Sequence, residues 1–298
     1  MRLFRFIILT VVVLFLGCNN SGNKAPKENL YVIHAGSLTY PVHKIARAFE
    51  AEYPGVKVLT EAWGSKAGAR RIIELENPAD VFLSADYMVI ENMLIPEHAS
   101  MNIKFARNEM SIVYTEKSRY KDEINPDNWF EILLKPDVSI GRSNPDHDPC
   151  GVRTVFVCKL AEIFYNNQGL SDRLLEKDNH NIRPKETDLI ALLESGHIDY
   201  IFLYRSVAVQ HKLNYLVLPD ELNLGNPALD EWYAQVSTNT LGAAPGETIK
   251  ETGQSMVYGL TIPHKSKNKE LAQKFIDFLL DTEKGIRILE DSGQPRVN

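Results

Sequence analysis

From Leu30 onward, short apolar runs alternate with stretches whose apolar residues recur every three to four positions. Leu30–Ile33 reads as a strand, and Val42, Ile45, Phe49 and Tyr53 follow at helical spacing. Val56–Leu59 is a second strand, before a helix carrying Ile72, Ile73 and Leu75; Asp80–Ser84 is a third. Ser111–Tyr114, Val138–Ile140 and Tyr200–Leu203 continue the series, with helices expected over Val152–Tyr165 and Asp188–Glu194. Near the C-terminus, Leu271, Phe275, Phe278 and Leu279 form one helical face, and Ile286 with Leu289 another. Strands alternating with helices across short turns predict an α/β protein with parallel sheet.

Two extended stretches look like connections between lobes: Phe105–Tyr114, and Tyr215–Gly225, which Pro219 interrupts. A chain that leaves one lobe, builds a second and returns encloses a cleft. The expected division is lobe I over 29–107 plus 219–298, and lobe II over 108–218. Ligands of open α/β sheets sit beyond the carboxyl ends of strands, where helices begin.

The N-terminal pattern differs. Arg2 and Arg5 precede a twelve-residue apolar stretch, Phe6–Gly17, closed by Cys18 and a polar tail. A membrane-spanning helix needs about 20 apolar residues, so 1–17 reads as a signal peptide. Gly17-Cys18 resembles a bacterial lipoprotein cleavage site. It implies a lipid anchor on Cys18, a tether over 18–28, and a protein held on the cell membrane facing the periplasm or the exterior. Of the remaining cysteines, Cys150 and Cys158 fall in one helical pattern, about 12 Å apart at 1.5 Å per residue. A disulfide needs less than about 7 Å, so two free thiols are expected.

Composition adds limits. The 298 residues carry 33 Lys+Arg against 39 Asp+Glu, a net charge of −6, with no long basic run. That argues against a nucleic-acid partner, which would demand clustered positive charge.

The chemistry concentrates in three strand-to-helix turns. His34–Leu38 contains Gly36, which admits close approach of the backbone, and Ser37, able to cap a helix. Glu61–Lys66 places Gly64 and Ser65 similarly. In Ser143–Gly151, Asp148 stands at an N-cap position and Pro149 at the first helical position, the favoured order at a helix start. A helix N-terminus offers unpaired N–H groups and partial positive charge. One such turn means only capping; three facing a cleft suggest a small oxyanion held mainly by neutral donors. Cys150 with His147 could suggest a nucleophile and base, but no third group orients them, and an enzyme is not expected.

These turns resemble the archaeal-type tungstate/molybdate-binding proteins of ABC importers. The similarity rests on His34–Thr39, Thr60–Ser65, Ala79–Tyr87 and Ser143–Gly151, and extends through Glu194–Val207 and Val257–Pro263. It implies a two-lobed, type II periplasmic-binding-protein fold with two crossover strands. It also implies an oxyanion site from Gly36, Ser37, Ser65, Asp148, Pro149, Cys150, Glu186 and Tyr204. Asp148 and Glu186 would bond directly to the molybdenum or tungsten atom; Asp188 and Glu194 compete with Glu186 but fall inside the helix. His147 reads as a rim residue. The resemblance implies a monomer that needs no cofactor and delivers its anion to an ABC permease. The alternative within the same fold is a phosphate or sulfate receptor.

Overall fold

The computed structural model describes residues 28–75, 79–241 and 248–297. The expected signal segment 1–17, Cys18 and the tether up to residue 27 lie outside the described residues.

Strand β1 (Glu28–Ala35) runs into a 3-10 turn, Gly36–Leu38, and helix α1 (Thr39–Glu52). There follow β2 (Val56–Trp63), α2 (Ser65–Glu74), β3 (Val81–Ser84), α3 (Tyr87–Met93) and β4 (Ile103–Arg107). The next group is β5 (Met110–Tyr114), α4 (Trp129–Leu133), β6 (Ile140–Ser143), α5 (Pro149–Phe164), α6 (Leu170–Glu176), β7 (Ile182–Arg183) and α7 (Thr187–Ser195). It continues through β8 (Tyr200–Tyr204), α8 (Arg205–Gln210), β9 (Asn214–Val217), α9 (Asp220–Asn223), α10 (Asp230–Tyr233) and a hairpin of β10 (Ser237–Leu241) and β11 (Thr248–Thr252). Finally come β12 (Val257–Thr261), α11 (Lys269–Leu280) and α12 (Gly285–Asp291).

Two five-stranded sheets result, ordered β2-β1-β3-β12-β4 and β7-β6-β8-β5-β9. In the first, β1 pairs in parallel with β2 and β3, while β12 is antiparallel to β3 and β4. Alternate residues of β1 serve different cores: Leu30 and Val32 meet Phe49 of α1 and Phe275 of α11, whereas Ile33 meets Ile72 of α2 and Ile90 of α3. Helices cover both faces, so β3 is apolar and buried at Val81, Phe82 and Leu83 alike. Phe49 meets the edges of Phe275 and Phe278, with ring centroids 5.2 and 5.5 Å apart.

The expected strands and helices are present, most of them extended by a few residues. The run Val138–Ile140 is displaced: the strand occupies Ile140–Ser143. Ser139 is instead tied to the start of β8, its amide donating to Asp199 Oδ2 and its carbonyl accepting from Asp199 N.

The chain passes between sheets first at Asn108–Glu109, inside the stretch expected to connect the lobes. The return lies later than expected. Leu218, Leu222, Leu224, Tyr233, Val236 and Met256 all pack in the core of the second lobe, so 219–241 and 248–256 belong there and not to lobe I. The cause is α5, buried at Val155, Phe156, Val157, Cys158, Leu160 and Ala161: a helix apolar on most sides needs cover beyond the sheet it lies on. The crossing therefore falls at Gly253–Met256, beside the first one; Asn108 N donates to Met256 O at 2.9 Å. Next to it the buried Glu109 carboxylate holds Arg205 Nη1 at 2.6 Å and Arg107 Nη1 at 3.8 Å.

Candidate functional site

Between the two sheets lies a cavity of about 310 Å³. One wall carries Ser37, Ser65, Asp86 and Tyr258; the other carries Asp148, Pro149, Arg153, Glu186 and Tyr204; Asn108 and Met256, from the two crossings, close the back. Residues as distant as Ser37 and Glu186 thus meet in one place.

The three turns behave differently. In front of α5, Asp148 Oδ1 accepts from Cys150 N at 3.0 Å, and Asp148 O accepts from Gly151 N and Val152 N. Pro149 has no N–H. This N-terminus is therefore occupied by its own cap, and the backbone amides expected to hold an anion there are already bonded. Asp148 Oδ2 accepts from Glu186 N at 2.7 Å, which clasps the start of α7 to the start of α5. Gly151 makes the turn possible, since a Cβ there would lie 2.5 Å from Ser143 O and 2.6 Å from the Pro145 nitrogen.

At the other two turns no side chain caps the helix. Ser37 does not perform the capping expected of it: it sits inside the 3-10 turn, and its Oγ lies 3.3 Å from Tyr258 Oη. Ser65 is the first residue of α2, behind Gly64, and its Oγ accepts from Ala85 N at 3.0 Å. These two N-termini, without side-chain acceptors, face the cavity through Ser37 and Ser65.

Of the sequence-predicted residues, Ser37, Ser65, Asp148, Pro149, Glu186 and Tyr204 line the cavity. Gly36 adjoins it through Ser37 without lining it. Cys150 lies behind it, fully buried, its Sγ 3.8 Å from Phe202 O. Burial, with Asp148 beside it, raises the Cys150 thiol well above its ordinary range, so a neutral, unreactive thiol results. Cys158 is likewise buried and free, pushed up to about 12. His147 is exposed in a neighbouring groove with Lys66, Asp146, Leu241 and Ile249, where Leu241 N donates to Asp146 Oδ1 at 3.0 Å. Asp188 and Glu194 are exposed on α7, outside the cavity.

Electrostatically, the cavity departs from the expected set of mostly neutral donors. Arg153 enters it, donating from Nη1 to Tyr204 Oη at 2.9 Å. The helical pattern carried that signal: Arg153 stands one turn beyond Pro149 on the same face. Glu186 is pushed up to about 7, first by burial and then by the adjacent Asp148 carboxylate. Asn108 and Tyr258 were not singled out from sequence, because each gains its meaning from partners about 100 or more residues away.

Comparison with known proteins agrees with this architecture. Residues 30–294 match the family model described as bacterial extracellular solute-binding protein. An uncharacterized solute-binding protein of Petrotoga mobilis is 51% identical over 270 residues, covering 90% of this chain and 84% of that protein. The molybdate/tungstate-binding protein WtpA of Pyrococcus abyssi is 40% identical over 320 residues, covering 96% and 90%. Among solved structures, the substrate-binding domain of a putative molybdenum ABC transporter from Clostridium difficile superposes with a TM-score of 0.63 at 20% identity, covering 91% of this chain and all of that one. The periplasmic molybdate-binding protein of Azotobacter vinelandii gives 0.57 at 18%, covering 89% and 98%. The fold is therefore the two-lobed α/β fold of periplasmic binding proteins, and its role is binding, not catalysis. The chain belongs to the bacterial extracellular solute-binding proteins.

Proposed function

We propose that this protein captures tungstate or molybdate outside the cytoplasm and delivers it to an ABC permease. The observation that carries the reading is the inter-lobe cavity lined from both walls. There Ser37 and Ser65, at two helix starts without side-chain caps, face Asp148, Glu186, Tyr204 and Arg153. The 40% identity with a molybdate/tungstate-binding protein supports it.

In this reading the Ser37 and Ser65 hydroxyls and the nearby amides bind the anion's oxygens, while Arg153 balances its charge. Asp148 and Glu186 approach the metal atom, each with lone pairs left over. A large high-valent centre accepts extra hard oxygen donors; the sulfur of sulfate does not, which filters out the commoner anion. Bonds to both walls form together only when the lobes close, so the ligand favours the closed form.

Thermal unfolding tests the reading. At about 1,000 times the dissociation constant a ligand adds about 4 kcal/mol, or roughly 5–15 °C in Tm for a protein of this size. Micromolar tungstate and molybdate should give that shift and millimolar sulfate should not; an equal response to sulfate or phosphate would favour a receptor for those anions.

We infer also that Cys18 carries a lipid and that 1–17 is removed. Wild-type cells fed labelled fatty acid should yield labelled protein, and the Cys18→Ala variant none; label retained in that variant refutes the anchor.

A further inference from the structure

The 3-10 turn that carries Ser37 runs into a gap in the backbone hydrogen bonding of α1. Gly36 O accepts from both the amide and the hydroxyl of Thr39. The next carbonyl, Ser37 O, would in a continuing helix accept from the N–H four residues on, but residue 41 is Pro and has none. A donor comes instead from 257 residues away: Gln294 Nε2 donates to Ser37 O at 3.0 Å.

Gln294 is fully buried and held on both sides. Its own N–H donates to Leu289 O at 2.9 Å, and Pro295 O, just after it, accepts from Arg107 N at 2.8 Å. Just before it, Gly293 turns the chain at φ +83°; a Cβ there would lie 2.7 Å from Ser206 Cα of α8. Ser292 O accepts from Gln210 Nε2, also of α8, at 3.3 Å. Residues 292–296 are thus wedged between β4 of lobe I and α8 of lobe II, beside the first crossing.

The two ends of the Gln294 amide fare differently. Its Oε1 is buried and has no hydrogen-bond partner among the described residues. Flipping the amide would set Oε1 against Ser37 O, oxygen facing oxygen, so that carbonyl fixes the orientation. An apolar side chain of similar size would avoid the cost of an unmatched oxygen. What the amide adds is the donor to Ser37. A trans peptide points its C=O and N–H to opposite sides. Drawing Ser37 O back to Gln294 therefore turns the Leu38 N–H the other way, toward the open N-terminal end of the turn, where Ser37 lines the cavity.

We propose that Gln294 is a positioning residue of the anion site: by supplying the donor that Pro41 withholds, it sets the Ser37–Leu38 peptide, and with it the lobe I end of the cavity, in the orientation that binds. This rests on the oxyanion reading above and deepens it.

Pro41→Ala separates this role from packing, because it returns an N–H four residues beyond Ser37. Wild type, Gln294→Met, Pro41→Ala and the double variant are titrated calorimetrically with tungstate, and with sulfate and phosphate up to millimolar concentration. Gln294→Met keeps the length of the side chain but removes the donor. It should weaken tungstate binding about fivefold or more, the scale of one hydrogen bond. Pro41→Ala alone should bind as wild type does, and in the Gln294→Met background it should recover most of the loss. Gln294→Leu takes the place of Gln294→Met should the latter fail to fold. Undiminished affinity in Gln294→Met would overturn the proposal. So would a loss that Pro41→Ala leaves unrepaired, since Gln294 would then act by filling space. A wild type that takes sulfate or phosphate but ignores tungstate refutes the proposed ligand, and the same comparison on the anion that binds judges Gln294. A wild type that binds none of the three refutes both.

Discussion

Asp148→Asn is expected to lower tungstate affinity at least tenfold and to destabilise the protein by about 1–3 kcal/mol. Both effects follow from one buried carboxylate that already accepts Cys150 N and Glu186 N. An amide presents an oxygen to one of those donors and an NH2 to the other, so one N–H loses its acceptor. The lost affinity follows from weaker donation to the metal atom, since an amide oxygen carries less charge than a carboxylate. Calorimetric titration together with urea unfolding separates the roles. If Asp148 only clasps α5 to α7, stability falls while affinity holds; if it repels a dianion, affinity rises.

Glu186 gives the second large effect, in the pH dependence. Its pKa, near 7 in the folded protein without ligand, lies above the ordinary carboxyl value of 4.5, because burial and Asp148 disfavour the charged form. The folded state thus holds a proton that the unfolded chain has released. Stability from this group is complete below about pH 4.5 and is lost as pH rises through 7, an effect on the order of 1–3 kcal/mol. Ligation by the ionised carboxylate must expel that proton. Tungstate affinity should therefore fall nearly tenfold per unit as pH drops below about 7, with proton release seen when buffers of different ionisation enthalpy are compared. Glu186→Gln should flatten the profile. Affinity that instead rises toward acid pH would mean that Glu186 binds as a neutral donor, against direct ligation.

What could be read from the sequence was local. Asp148-Pro149 announces a helix start because capping and a preset φ need only adjacent residues, and Ser37 and Ser65 follow strands whose ends face the cleft. Glu186 stands directly ahead of α7, whereas Asp188 and Glu194 fall two and eight residues later, inside the helix, and that difference was legible too. Other features depended on distant partners. Pro219 breaks an extended stretch convincingly, yet Leu222, Tyr233 and Met256 fill the space around α5, so the return crossing lies further on. The apolar surroundings of α5 were the clue, since such a helix cannot be covered by one sheet alone. Arg153 was readable from helical spacing. Asn108 and Tyr258 were not, because a donor's direction is decided by what lies behind it in space.

The position of β12 between β3 and β4 has a consequence for how the molecule is made. The second sheet forms from the contiguous stretch 110–217, but the first sheet stays incomplete until 257–261 have been synthesised, with β3 presenting a bare edge meanwhile. Premature maturation on the ribosome is thereby disfavoured, since the slowest contacts span most of the polypeptide. Completion of the first lobe is thereby tied to the arrival of nearly the whole polypeptide, whereas the second closes on a contiguous stretch of its own.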